Sequence, residues 1–251
     1  NCPKLRDYVR LKAREIGDRI YGKNIYIRGL IEFTNYCKND CYYCGIRCSN
    51  TKAERYRLSR EDIMACCREG KKLGFRTFVL QGGEDPYYTD DCIVDLIHQI
   101  RTAFPDCAIT LSIGERERES YERFWEAGAD RYLLRHETAA ESHYQKLHPE
   151  NLSLKHRKRC LWNLKEIGYQ TGCGFMVGSP GQTSEHLAED FTFIRELQPE
   201  MVGIGPFIPH SDTPFAEETQ GSMELTLYLL SLLRIQQPDL LLPATTALAT
   251  I

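Results

Sequence analysis

No apolar run in this 251-residue chain reaches the roughly 20 residues that a membrane span requires. Basic charge is not in surplus either. The chain has 32 Lys and Arg against 35 Asp and Glu, a formal net charge of −3, so no positive surface field argues for a nucleic-acid partner. The short run KHRKR at 155–159 reads as the solvated face of a helix. Polar linkers, internal repeats and low-complexity tracts are missing, which points to one domain. The opening stretch, NCPKLRDYVRLKAREIGDRIYG, is too charged for a secretory signal and reads as an amphipathic helical segment over residues 1–24. A soluble cytoplasmic protein is expected.

Cysteine, by contrast, is abundant. Eleven thiols stand at 2, 37, 41, 44, 48, 66, 67, 92, 107, 160 and 173. The number is odd and nothing suggests export, so a disulfide framework is not expected. Most should be small buried hydrophobes. Cys37, Cys41 and Cys44 differ, because they crowd into eight residues within IEFTNYCKNDCYYCGIR, directly after an apolar run.

Strand-like runs at 25–33, 76–81, 107–113, 130–135, 171–177, 201–208 and 239–246 alternate with helical patterns. One of these is SREDIMACCREGKKLG, where Ser59 can cap and Gly74 can terminate. Strict alternation implies an α/β fold with a parallel sheet and right-handed crossovers. Polar or Gly- and Pro-rich turns follow nearly every strand, as on the C-terminal rim of a TIM-type (β/α) barrel; a doubly wound sheet would gather them at one switch point. Seven of eight βα units are visible over 25–251, so the barrel is partial or its closing strand belongs to a longer chain.

Cys-x3-Cys-x2-Cys supplies three thiolates from one loop. A structural zinc site wants four ligands, and Cys48 could be the fourth, which would make the protein a zinc-stabilised binding module. Three thiolates can instead hold a 4Fe–4S cluster with one iron left open to chelate an amine and a carboxylate. Placed after a first barrel strand, with Tyr43 as the aromatic before the last cysteine, the motif resembles the radical S-adenosylmethionine (SAM) enzymes. Longer stretches, among them LQGGEDPYYT, DRYLLRHETA, MVGSPGQT, MVGIGPFIPHSDTP and PATTALATI, resemble the HydE-type maturases of FeFe-hydrogenase.

The resemblance implies a radical SAM barrel whose Cys37, Cys41 and Cys44 ligate the cluster that cleaves SAM to a 5′-deoxyadenosyl radical. It implies SAM contacts from Tyr43, from the turn Gly82, Gly83 and Glu84, from Glu137 and Arg157 (Arg159 being a near rival), and from Gly203 and Ile204. It also implies a substrate site of Thr110, Arg131, Arg135, Thr245 and Thr246. Arg131 and Arg135 lie four apart on one strand, so both should face inward as a cationic floor. With no inward acid apart from Glu137, that floor suits a carboxylate-bearing or iron-complex substrate. Implied partners are an electron donor (ferredoxin or flavodoxin) and the other hydrogenase maturases. Methylornithine synthase and biotin synthase are the neighbouring alternatives. His136 and His210 read as packing residues, and the charged run at 115–119 as a solvated helix start.

Overall fold

Six strands pair in parallel in the order β1-β2-β3-β4-β5-β7 in the computed structural model, which describes residues 3–250. They are β1 (Gly29–Thr34), β2 (Thr77–Gly82), β3 (Ala108–Ser112), β4 (Arg131–Leu133), β5 (Gln170–Cys173) and β7 (Met201–Val202). Two further short strands, β6 (Met176–Val177) and β8 (Gly205–Pro206), pair with each other and prolong β5 and β7. Cys2, and Ile251 at the end of PATTALATI, lie outside the described residues.

Helices α2 (Arg60–Lys72), α3 (Asp90–Ala103), α4 (Arg118–Glu126), α6 (Leu154–Ile167), α7 (Ser184–Leu197) and α8 (Met223–Gln236) connect the strands. Their ends follow local chemistry. Ser59 caps α2 in a reciprocal box with Asp62, and Gly74 follows the helix at φ +91°, where only glycine is unstrained. The side chains of Thr89, Ser153, Thr183 and Ser222 cap α3, α6, α7 and α8, with a reciprocal box again at Thr183 and His186. α1 (Pro3–Tyr21) packs on α8.

Alternation along the strands places the core. Ile31 and Phe33, Phe78 and Leu80, Ile109 and Leu111, and Tyr132 and Leu134 join one buried cluster with Ile63, Ile93, Ile97 and Phe124 of the helices. Each fully buried aliphatic or aromatic side chain there contributes about 1.5–3 kcal/mol. The intervening residues, Leu30 and Glu32, Val79 and Gln81, Thr110 and Ser112, and Arg131 and Leu133, therefore face the other side of the sheet, the barrel lumen. Register ties Thr110 to Val79 on one side and to Arg131 on the other.

The strands differ from expectation in three places. The first begins at Gly29, where pairing with Phe78 starts; Ile25, Tyr26 and Ile27 before it are exposed. The runs 171–177 and 201–208 are each split, because Gly174 and Gly203 press together so closely that a Cβ on Gly174 would overlap the Gly203 carbonyl. The run 239–246 makes only one bridge, Leu241 to Met201, since Pro243 has no N–H with which to continue a ladder. A short helix α5 (Glu141–Leu147), unexpected from the pattern, follows the fourth strand, and α9 (Thr246–Thr250) ends the described chain.

Candidate functional site

The loop that follows β1 is shaped by arginines. The Arg55 guanidinium donates to the carbonyls of Asn35, Ile46, Arg47 and Asn50, at 2.5–3.1 Å. Arg47 forks onto Asp40, which holds that carboxyl well below its ordinary range. The Tyr42 amide donates to the Leu147 carbonyl at 3.0 Å, docking the loop on α5.

Cys37, Cys41 and Cys44 are half-buried in this loop, close enough that Cys41 feels the charge of both others. Burial pushes the Cys41 thiol up to about 12 and raises Cys37 and Cys44 as well. Three desolvated thiols will not ionise alone, so a polycation is what would turn them into thiolates. Cys48 is exposed. Among the described residues, no three His, Cys, Asp or Glu side chains gather around a point that could hold a single metal ion. The donor set, three spaced thiols without a fourth, fits a cluster larger than one ion.

The turn after β2 lies against this loop. A Cβ on Gly83 would stand 2.7 Å from the Cys37 Cβ and would overlap the Tyr36 carbonyl, so only glycine permits the approach. The Glu84 amide donates toward the Cys37 sulfur at 3.4 Å, and its carbonyl accepts from the Lys38 amide at 3.0 Å. The Glu84 carboxylate is occupied by the Glu115 amide at 2.9 Å and by Lys38 at 3.3 Å. Asp85, its side chain 1% exposed, takes a two-pronged bond from Arg57 at 2.7 and 2.9 Å and a third from the Thr34 hydroxyl at 2.7 Å. Arg57 is itself stacked between Tyr36 and Tyr87, at 3.8 and 4.8 Å from the ring centres.

Glu137 lies four residues beyond the fourth strand, in an isolated bridge to Phe175, with φ 65°, one of two non-glycine residues in the left-handed region among those described. Such a conformation costs about 1–3 kcal/mol and persists only where its surroundings impose it. Its carboxylate pairs with Arg135 at 3.2 Å. Arg157 is buried and meets Glu115 at 2.5 Å, their side chains 9% and 10% exposed. Burial opposes the Arg157 charge, but Glu115 beside it holds its pKa above the ordinary value. Arg159 is exposed and turns to His156, so of the two candidates only Arg157 faces the site. Tyr43 sits among Glu137, Cys41 and Arg157, and burial raises its pKa. Its hydroxyl lies 3.3 Å from His148 Nε2; burial lowers the His148 pKa to about 3, which keeps that ring neutral.

Gly203 donates to the Cys173 carbonyl at 2.9 Å, and the buried Ile204 offers its carbonyl to Thr245 Oγ1 at 3.3 Å. Gly82 ends β2 beside Thr34, and Thr246 begins α9. Deeper in the lumen, the Thr110 hydroxyl is buried and has no hydrogen-bond partner among the described residues. Arg131 donates to Gln170 at 2.6 Å and Thr77 at 3.3 Å, and not to Asp130, which pairs with Arg101.

The chain is similar to known proteins. The profile of the Radical SAM superfamily covers residues 31–194. The HydE subunit of the [FeFe] hydrogenase maturase from Thermotoga maritima is 50% identical over 239 residues, 95% of this chain and 68% of that protein. The chain belongs to the HydE family of radical SAM proteins. A 3-methylornithine synthase from Methanosarcina acetivorans is 31% identical over 93% of this chain and 66% of its own length, so the chain spans about two thirds of these relatives. Among solved structures, methylornithine synthase (PylB) superposes with TM-score 0.88 at 28% identity, covering 97% of this chain and 72% of that one. This fit supports the partial TIM-type barrel.

Several features of this HydE-family site were not read from the sequence. The charged run at 115–119 is a solvated helix start only in its second half, where Glu117 and Glu119 are exposed as α4 begins; Glu115 turns inward to Arg157, and Arg116 is covered and paired with Asp90 of α3. Glu115 follows β3 as the other turns follow their strands, and that placement was the available signal. The lumen also holds a second acid. Glu32 faces inward on β1 and accepts from Gln81 Nε2 at 3.2 Å. Arg28 adds a cation there, reaching the Met201 sulfur at 3.0 Å, and burial followed by Arg131 lowers its pKa. The expected floor of Arg131 and Arg135 is therefore divided. Arg131 neighbours Arg28 at the base, whereas Arg135, about 13 Å farther along the strand, is taken up by Glu137 at the rim. Cys107, just before β3, and Cys173, at the end of β5, lie in the outer core and not in the lumen.

Proposed function

We propose that this protein cleaves S-adenosylmethionine reductively and uses the resulting 5′-deoxyadenosyl radical in assembling the di-iron subcluster of FeFe-hydrogenase. The observation that carries this reading is the convergence of three half-buried thiols with Glu137 and Arg157 above a lumen whose arginines, Arg28 and Arg131, have no acidic partner among the described residues. A 4Fe–4S cluster on Cys37, Cys41 and Cys44 would supply the electron.

The protein's own residues would bind and orient. The Gly82–Gly83–Glu84 turn offers backbone to the cofactor amine, since its close approach leaves no room for side chains. Arg157 offers a guanidinium to the cofactor carboxylate. Glu137, Tyr43, Gly203 and Ile204 complete that wall. Thr110, Arg131, Arg135, Thr245 and Thr246 face a carboxylate-bearing or iron-complex substrate, and Thr110 contributes a hydroxyl that has no other use in the fold. A ferredoxin or flavodoxin would deliver the electron, with the other maturases acting before and after.

Anaerobically reconstituted protein should release 5′-deoxyadenosine on reduction with S-adenosylmethionine, and should mature FeFe-hydrogenase together with its partner maturases. Zinc in place of iron would turn the reading into a zinc-stabilised module. A second enzymatic reading rests on Glu32, an acid that could hold a side-chain ammonium as a lysine mutase requires. Conversion of lysine to methylornithine without hydrogenase maturation would establish it. A biotin synthase-like reaction would need an auxiliary cluster in the lumen, which the outward Cys107 and Cys173 do not provide.

A further inference from the structure

Glu137 stands between two groups that are tied to the same atom. On its N-terminal side, His136 Nε2 lies 3.3 Å from Asp190 Oδ1, both side chains being 0% exposed, a close polar contact that falls short of hydrogen-bond geometry. On its C-terminal side, the Ala139 amide donates to that same Oδ1 at 2.5 Å. The other ring nitrogen, His136 Nδ1, accepts from the Gly174 amide at 3.4 Å. An imidazole that accepts at Nδ1 carries its proton at Nε2, the nitrogen nearer the carboxylate. Gly174 in turn accepts from the Glu137 amide at 3.0 Å, and the Glu137 carbonyl accepts from Met176 at 3.2 Å.

Nothing in the proposed chemistry uses His136 or Asp190. Yet a buried carboxylate is costly unless its surroundings satisfy it, and here it sits on α7, aimed at the rim turn from behind. Phe175 and Phe193 enclose the His136 ring and exclude water from the pair. Packing alone would have been served by a phenyl ring. What the imidazole and carboxylate add is a fixed length between α7, the Gly174 kink and both flanks of a residue at φ 65°.

We propose that Asp190, acting directly and through His136, is a positioning residue that holds Glu137 in its left-handed conformation and so aims its carboxylate at the cofactor. This rests on the reading of Glu137 as a cofactor contact.

Two measurements test it. In the anaerobically reconstituted protein, Asp190→Asn keeps the shape but weakens the bond to Ala139 and the hold on His136. His136→Asn keeps an acceptor for Gly174 and severs the link to Asp190. Each should weaken S-adenosylmethionine binding by about tenfold, equivalent to about 1.4 kcal/mol, at unchanged iron content. Combining Asp190→Asn with Glu137→Gln should add little to the loss from Glu137→Gln alone, since both remove one interaction. In the metal-free protein, hydrogen exchange at the Glu137, Ala139 and Met176 amides should quicken several-fold in both clamp variants. Fully additive losses, unchanged binding in both clamp variants, or loss of iron together with binding would each overturn the proposal. If Glu137→Gln itself binds S-adenosylmethionine normally, the cofactor reading of Glu137 fails. Exchange then decides the clamp alone: faster exchange retains it, unchanged exchange removes it.

Discussion

Gly83 and Cys37 approach so closely that a methyl group on the glycine would lie 2.7 Å from the cysteine Cβ. The cluster loop and the turn after β2 are therefore packed backbone against backbone. Gly83→Ala should push the two apart, costing about 1–3 kcal/mol by overpacking. It should also lower cluster occupancy on reconstitution. Iron analysis and thermal unfolding read both effects; a variant that loads iron normally would show that the loop does not need this contact.

Replacing Cys37, Cys41 or Cys44 by Ala should abolish a reconstituted content of about four irons per chain. Cys48→Ala should retain it, because that thiol is exposed. Iron loss on Cys48→Ala would instead mark a four-cysteine site.

Arg157 and Arg159 make a matched pair. Arg157→Ala should weaken S-adenosylmethionine binding by roughly ten- to hundredfold, the effect of losing a charged hydrogen bond of roughly 1.5–3 kcal/mol. Arg159→Ala should leave it unchanged, since that side chain is spent on His156. The reverse result, by equilibrium dialysis, would show that the buried pair with Glu115 is purely structural.

The Asp85–Arg57 clamp makes a pH prediction. Burial raises the Asp85 pKa, but Arg57 and Thr34 outweigh it, and the net shift is downward. A carboxyl depressed in the folded state adds stability that is complete above its unfolded pKa of about 3.9 and is lost as pH falls through the folded value. The gap in thermal midpoint between the unmutated protein and Asp85→Asn should thus be widest near neutrality and narrow below about pH 4. A gap independent of pH would mean that the clamp works by shape alone.

In the lumen, Arg131→Ala and Arg28→Ala should each impair hydrogenase maturation while sparing uncoupled release of 5′-deoxyadenosine. The two guanidiniums lie at the base, away from the rim that would hold the cofactor. Loss of uncoupled release in either variant would place them in the cofactor site instead.

Much of this was legible in the residues. Parallel strands, capped helices and the trio of cysteines follow from period, cap chemistry and spacing, all of them local signals. What stayed hidden depends on partners distant in the chain. Glu115 looks like any acid in a charged run until Arg157, 42 positions later, is folded against it. Arg55 and Arg57 look like loop charges until their carbonyl and aromatic partners close around them. The strand expected at 239–246 failed for a readable reason, Pro243. Glu32 could have been placed in the lumen by counting alternation from Phe33.

Four backbone carbonyls converge on the single guanidinium of Arg55, all within the segment that carries the three thiols. Those bonds involve no sulfur. The loop should accordingly hold its shape when stripped of iron, and chelation followed by reloading should leave the far-ultraviolet circular dichroism unchanged. A metal centre held by such a loop would be a socket, not a knot tied by its own metal. A delivering scaffold would meet a finished receptacle, and damage by oxygen would be repaired by exchanging the part without remaking the chain.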